Sequence, residues 1–186
     1  IVQSDAHHNL ITANLVSGNF GPGILCGGST NTSHNRVEGN LIGTDISGMN
    51  PLGNSGPGVR INTGNTNTVG GISTAYGNFI AFNTGDGVEI NSGSGHMVRG
   101  NQIFSNGGLG IDLVGSNGVN LNDANDADTG ANQLQNFPVI TNVTVGTPTI
   151  IVGTFNSSPN ATFTLDFYAS AVVDATSFGE GQRYLG

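Results

Sequence analysis

The sequence predicts an all-β protein that is mainly a solenoid of short strands, and three observations support this prediction. A pattern of alternating apolar and polar residues recurs four times in the first two thirds of the chain. Glycine and asparagine supply 31 and 25 of the 186 residues, and both suit tight corners between strands. No segment has the apolar periodicity of a helix. The 9% of charged residues also argue against a coiled coil.

Each copy of the repeat begins with an asparagine that is followed two residues later by valine or isoleucine. The leading residues are Asn14, Asn40, Asn78 and Asn101, spaced by 26, 38 and 23 residues. The longest copy contains insertions at residues 44–55 and 70–77. Further corner residues are expected five positions after each leader, at Asn19, Asp45, Asn83 and Asn106.

A glycine and an apolar triplet complete each copy. One coil of about 22 to 30 residues cannot bury its apolar side alone, whereas stacked coils can. Because side chains alternate along a strand, the first and third residues of a triplet should point inward. Cys26 is then a small buried hydrophobe rather than a reactive thiol. The predicted interior columns are Ile24, Val59, Val88 and Ile111; Cys26, Ile61, Ile90 and Leu113; and Val16, Ile42, Ile80 and Ile103.

Outward positions of the coils carry the candidate ligand-binding residues. Arg60 and Glu89 should be neighbours on adjacent coils, about 4.8 Å apart, and close enough to pair. A line of large apolar residues on another face predicts either cover by an insertion or flanking chain, or a binding face for a partner or a sugar ring. The candidates for a ligand-binding face are Leu15, Leu41, Phe79, Phe104, Arg60, Glu89 and Asp112.

Three phrases carry a resemblance to a known family: Gly39-Asn40-Leu41-Ile42-Gly43-Thr44-Asp45, Asn67-Thr68-Val69-Gly70-Gly71 and Gly108-Leu109-Gly110-Ile111-Asp112-Leu113. With them, roughly residues 1 to 120 resemble the right-handed, single-stranded parallel β-helix repeat proteins of pectin-lyase-like fold. The resemblance implies three short strands per coil and a secreted or surface-anchored bacterial protein. That superfamily includes lyases, hydrolases, epimerases, tailspikes and adhesins, so the resemblance specifies the fold far better than the function.

An acidic loop, predicted at residues 122–136, follows the predicted β-helix of residues 1–121. Asp123, Asp126 and Asp128 lie close together with two asparagines, and these are the oxygen ligands that calcium prefers. The pattern lacks the distal glutamate of an EF-hand and resembles the short acidic calcium loops of extracellular repeat proteins. The sequence therefore predicts either a calcium site or a solvated acidic linker.

Residues 137–186 predict a small antiparallel β segment. Apolar and polar residues alternate over 139–145, 149–155 and 161–168, and a fourth short strand is predicted at 182–185. The segment resembles the start of an immunoglobulin-like sandwich. A complete sandwich needs about seven strands and 100 residues, so we expect a partial one.

Catalytic motifs of the resembling enzymes are incomplete in this chain. The chain has no lysine, and Arg36, Arg60 and Arg99 fall at different positions of the repeat, which does not fit a lyase base. No adjacent aspartate pair is present to match the hydrolases. Glu89 and Asp112 are a pair that a glycosidase could use, and they keep a polysaccharide-acting lyase, hydrolase or epimerase open as the alternative. No residue is assigned as catalytic.

Charge and hydropathy limit the kinds of partner that we expect for this chain. A net charge of −8 without lysine makes the chain a poor phosphate binder, so we expect no nucleic-acid partner. No apolar run approaches the roughly 20 residues of a membrane span, and the single Cys26 leaves the redox compartment open.

The chain begins within the repeat pattern, so we expect a piece of a longer precursor. The predicted function is a non-catalytic structural or adhesive module, extracellular or on a bacterial cell surface, that binds a polysaccharide or a surface protein.

Overall fold

The computed structural model describes residues 1–73, 75–114 and 118–186. It has the predicted all-β architecture, a parallel β-helix with three strands per coil, followed by small antiparallel pairs. Four coils contribute three strands each, and a further strand follows the fourth coil. In chain order the strands are β1 (Val2–Gln3), β2 (Leu10–Thr12), β3 (Leu15–Val16), β4 (Ile24–Gly27), β5 (Arg36–Glu38), β6 (Leu41–Ile42), β7 (Val59–Ile61), β8 (Thr68–Gly70), β9 (Phe79–Ala81), β10 (Val88–Ile90), β11 (Met97–Arg99), β12 (Gln102–Phe104) and β13 (Ile111–Leu113).

Three parallel sheets run along the solenoid. The first sheet has the order β1-β4-β7-β10-β13, the second β2-β5-β8-β11 and the third β3-β6-β9-β12. The predicted alignment of the repeats is confirmed, because Val88 pairs with Val59 on one side and with Ile111 on the other. Residues that pair on successive strands of a sheet therefore lie about 4.8 Å apart from coil to coil.

Aliphatic side chains from all three sheets fill the interior. The predicted inward columns are confirmed through the middle coils, where Ile42, Val59 and Ile80 are fully buried. Cys26 is buried as expected, and burial raises the pKa of its thiol to about 11, which keeps it protonated. Ile111 differs, with 44% of its surface exposed, since β13 is the last strand of its sheet.

Asparagine ladders run along the corners of the solenoid. At each step one Oδ1 atom accepts two hydrogen bonds, from the backbone N–H and the side-chain amide of the asparagine one coil earlier, at 2.7–3.2 Å. The second amide hydrogen donates to a carbonyl, as from Asn78 to Val37 at 2.7 Å. The ladders are Asn9-Asn35-Asn67, Asn14-Asn40-Asn78-Asn101 and Asn19-Asn54-Asn83-Asn106.

The third ladder shows that one predicted corner residue, Asp45, was wrong. Asn54, not Asp45, occupies the corner of the second coil, because the insertion at residues 44–53 separates β6 from its corner. The residue before a ladder position is often left-handed, as at His34 (φ 57°) and Phe82 (φ 62°). This conformation turns the chain so that the asparagine side chain lies along the solenoid.

The C-terminal segment contains a short 3₁₀ helix (Ala131–Leu134) and two antiparallel pairs. The hairpin of β14 (Val139–Thr144) and β15 (Ile150–Thr154) agrees with the predicted strands, whereas the predicted strand 161–168 reduces to β16 (Tyr168–Ala169). β16 pairs with β17 (Arg183–Tyr184), because the chain around Phe167 bonds to the last residues rather than to the hairpin. Among the described residues, no helix has the length and apolar character needed to cross a membrane.

Asn78→Ala should lower the free energy of unfolding by about 1–3 kcal/mol, because it removes the oxygen that accepts two hydrogen bonds from buried Asn40 and the amide that donates to the carbonyl of Val37. Asn14→Ala is the matched control, since Asn14 is exposed at the end of the same ladder and its loss leaves Asn40 Oδ1 bonded to the backbone. Urea unfolding of both variants measures the difference. If both variants lost the same free energy of unfolding, the hydrogen bonds of the buried ladder position would contribute no more to stability than those of the exposed end.

Candidate functional site

The outward column of the first sheet contains an ion pair. Arg60 and Glu89 are register neighbours, and Arg60 Nη2 donates to Glu89 Oε2 at 2.9 Å. Arg60 Nε lies 2.7 Å from Glu89 Oε1, but its N–H does not point at that oxygen. The side chains are 32% and 12% exposed, so the pair is more buried than an ordinary surface salt bridge. The sequence correctly predicted this pairing.

Asp112 is the next residue of this column, in register with Glu89. Among the described residues, nothing forms a hydrogen bond to its buried Oδ1 atom. Burial raises the pKa of Asp112 to about 6, and the negative charges of Asp86 and Glu89 contribute to the increase. Asp112 is therefore a carboxyl group that can hold a proton near neutral pH.

Asp86 joins this group and was not a candidate from sequence. It lies in the turn before β10, where its Oδ1 accepts the N–H of Leu109 at 2.7 Å, and burial raises its pKa. A Cβ at Gly108 would lie only 2.2 Å from the same oxygen, so the glycine makes room for the carboxylate. The Gly85-Asp86-Gly87 phrase was the available signal, but a lone aspartate between glycines predicts only a turn.

These carboxylates border a groove of about 460 Å³ between the first sheet and the C-terminal segment. Asp86, Asp112 and Thr176 provide its polar lining, and most of the other lining side chains are apolar. The neighbouring apolar lining residues are Leu109, Val119, Leu121 and Phe178.

The predicted apolar line lies on the third sheet. Leu15, Leu41 and Phe79 are register neighbours, and the Phe104 ring packs edge-on against Phe79 with centroids 4.9 Å apart. The insertion at residues 44–53 partly covers the line, since a Cβ at Gly48 would touch both Leu41 and Phe79. Leu41 and Phe79 are half-buried beneath it, Phe104 is half-buried beside Phe79, and Leu15 remains 44% exposed.

The covering insertion exposes apolar side chains of its own. Ile46 and Met49 are 77% and 80% exposed near its tip. Asp45 holds the loop together, because its carboxylate accepts hydrogen bonds from the Ser47 hydroxyl at 2.6 Å and from the Asn50 amide at 2.7 Å. These bonds lower the pKa of Asp45, which stays ionised. We call Leu15, Ile46 and Met49 the apolar face.

The three carboxylates of the acidic loop lie close together in the structure. Oxygens of Asp123, Asp126 and Asp128 all lie within 4.8 Å of one another. Asp126 accepts hydrogen bonds from the Asn136 backbone at 2.8 Å and from the Ser157 hydroxyl at 2.7 Å. Within the described residues, Asp128 Oδ1 is buried and has no hydrogen-bond partner. Burial raises the pKa of Asp128, and the charges of Asp123 and Asp126 raise it further.

Asp112→Asn should raise the thermal midpoint at pH 7 and leave it nearly unchanged at pH 4. A carboxyl whose pKa rises on folding from its ordinary 3.8 to about 6 stabilises the fold at low pH, and that stability is lost as the pH rises through this window. Asp45→Asn is the opposite control, because its lowered pKa stabilises the fold at neutral pH. The thermal midpoints of both variants and of the wild type are measured from pH 4 to pH 7. At pH 7 the midpoint should be higher than that of the wild type for Asp112→Asn and lower for Asp45→Asn. A shift of the same sign for both would contradict the assignment.

Comparison of the chain with models of protein families, with curated proteins and with solved structures found no match in any of the three.

Proposed function

We propose that the chain is a non-catalytic structural or adhesive module of the pectin-lyase-like superfamily, extracellular or on a bacterial cell surface. It binds a polysaccharide or a neighbouring surface protein through the apolar face. The exposure of Ile46 and Met49 on a loop fixed by Asp45 is the observation that carries this proposal.

Physical reasons support a binding role for this face. Large apolar side chains exposed together on a folded protein mark interaction surfaces. The loop is held by its own hydrogen bonds, so little conformational entropy is lost when a ligand covers it. A solenoid repeats its surface about every 4.8 Å, which suits an extended polymer or a flat partner.

The test uses immobilised polysaccharides, followed by mass analysis of the solution. Ile46→Ser with Met49→Ser should weaken retention about tenfold, equivalent to about 1.4 kcal/mol, with no cleavage products. Val172→Ser with Val173→Ser is the control, because these valines are equally exposed but lie in the C-terminal segment. Retention that is the same for both pairs would rule out the apolar face for sugars. Capture of a surface protein that is lost in the loop variant would identify a protein ligand instead.

A polysaccharide-acting enzyme is the second candidate, favoured by the properties of Asp112 and Glu89. Asp112 has a pKa near 6 and could donate a proton, while Glu89 is hydrogen-bonded to Arg60. They lie in register on neighbouring strands, which are about 4.8 Å apart. Retaining glycosidases need two carboxyl groups about 5–5.5 Å apart, and side chains on neighbouring strands can reach this separation. Cleavage products that disappear in both Asp112→Asn and Glu89→Gln would favour this candidate over the binding module.

We also propose that Asp123, Asp126 and Asp128 bind calcium. Three carboxylates whose oxygens lie within 4.8 Å repel one another, and a divalent cation would remove this repulsion. The remaining ligands of the usual six to eight would be carbonyls and water.

Calcium should raise the thermal midpoint of the wild type relative to chelator. Binding to the folded state alone stabilises it by about 2.7 kcal/mol at a hundredfold excess over the dissociation constant. Asp126→Asn should remove most of the shift. It keeps one side-chain oxygen, which can replace the acceptor of either Asn136 or Ser157 but not of both, because these two residues bond to different oxygens of Asp126. Asp174→Asn, outside the cluster, should keep the shift. An unchanged wild-type midpoint would leave a plain acidic linker.

A further inference from the structure

The third asparagine ladder does not end at its last asparagine. Asn106 donates its backbone N–H and its side-chain amide to the same oxygen, Glu180 Oε1, at 3.1 and 2.9 Å. This is the two-bond pattern that joins each asparagine to the next one within the ladders. Glu180, 74 residues along the chain, therefore takes the place of the asparagine of a following coil.

The first ladder is continued in a similar way. His96 occupies the corner after Asn67, whose backbone N–H it accepts at 3.2 Å. The backbone N–H of His96 then donates to Asn132 Oδ1 at 2.9 Å, and Asn132 Nδ2 returns a bond to the His96 carbonyl at 3.2 Å. Asn132 belongs to the short 3₁₀ helix of the C-terminal segment.

The remaining corner and a strand edge are also covered by this segment. Beside the second ladder, the N–H of Gly100 donates to the Tyr168 hydroxyl at 2.8 Å, and Arg99 forms two hydrogen bonds with Asp166 at 2.5 and 2.6 Å. On the edge of β12, the N–H of Ile103 donates to the Gly181 carbonyl at 3.1 Å. All three corners of the last coil thus bond to residues 131–186.

The first coil of this sequence has the complementary hydrogen-bonding groups. Among the described residues, no donor reaches the Oδ1 atoms of Asn9, Asn14 and Asn19, which are exposed on the first coil. The last coil offers donors, and the first coil offers acceptors at the same corners. If the last coil were uncovered, the first coil of another copy could stack on it as one coil stacks on the next. Such head-to-tail contact does not close and produces filaments.

We propose that residues 131–186 form an end cap that blocks head-to-tail stacking with a second copy of this chain, and that Glu180 acts in it as a substitute for a ladder asparagine. The fit is close, since a Cβ at Gly110 would lie 2.7 Å from Glu180 Cα. Solenoids need polar terminal caps, and uncovered strand edges pair with other chains. This role does not depend on the ligand of the apolar face.

The test opens the cap at two anchors with Glu180→Ala and Asp166→Ala in the full chain. Sedimentation velocity in roughly 0.5 M salt, which screens the net charge of −8, should show a weight-average mass that at least doubles with concentration. The wild type and Asp174→Ala, an acid of the same segment whose carboxylate bonds only within its own turn among the described residues, should remain monomeric. A folded double variant that remains monomeric would overturn the proposal.

A third change tests which surface associates. Adding Asn14→Lys to the double variant replaces an acceptor on the first coil and should restore the monomer. Association that persists would show that another surface is involved and would overturn head-to-tail stacking.

A milder variant covers the case in which the double variant does not fold. Glu180→Ala alone should speed amide hydrogen exchange at Asn106 at least tenfold. Glu180→Gln keeps an oxygen acceptor, so in that variant the Asn106 amide should exchange nearly as slowly as in the wild type. Unchanged exchange in Glu180→Ala would overturn the role of Glu180.

Discussion

The structure depends on one repeated interaction, in which a single asparagine Oδ1 accepts two N–H groups from the coil before it. Strands of two to four residues form few ladder hydrogen bonds of their own. The corners between them leave backbone donors inside the molecule, where an unpaired donor is costly. The asparagine ladders satisfy these donors and hold successive coils at one spacing. The aliphatic interior can then pack continuously from coil to coil.

The same constraint separates the scaffold from the variable surface. Asn40 and Asn78 are 38 residues apart and Asn78 and Asn101 only 23, yet the two ladder steps have nearly identical hydrogen bonds. Extra residues therefore leave the solenoid as loops without disturbing its register. The loop at residues 44–53 is such an insertion, and it carries the most exposed part of the apolar face.

Fixed register also gives the outward column of the first sheet its unusual electrostatics. Residues at equivalent positions lie one coil apart, so Arg60, Glu89 and Asp112 follow one another along the surface. Arg60 neutralises Glu89, while Asp112 has no cation beside it within the described residues and lies near Asp86. A raised pKa at Asp112 follows from this order of charges together with its burial.

The sequence by itself determined the repeat, the inward columns and the pairing of Arg60 with Glu89, because alternation and coil-to-coil register are local and periodic properties. It also placed Asp123, Asp126 and Asp128 together, since they are only a few residues apart. Tertiary structure decided the corner at Asn54, the cover over Phe79, the place of Asp86 beside Asp112, and the bonds of Glu180 and Asp166 to the last coil. Those last contacts join residues 74 and 67 positions apart. They follow no period, because each depends on how the C-terminal segment folds back onto the solenoid.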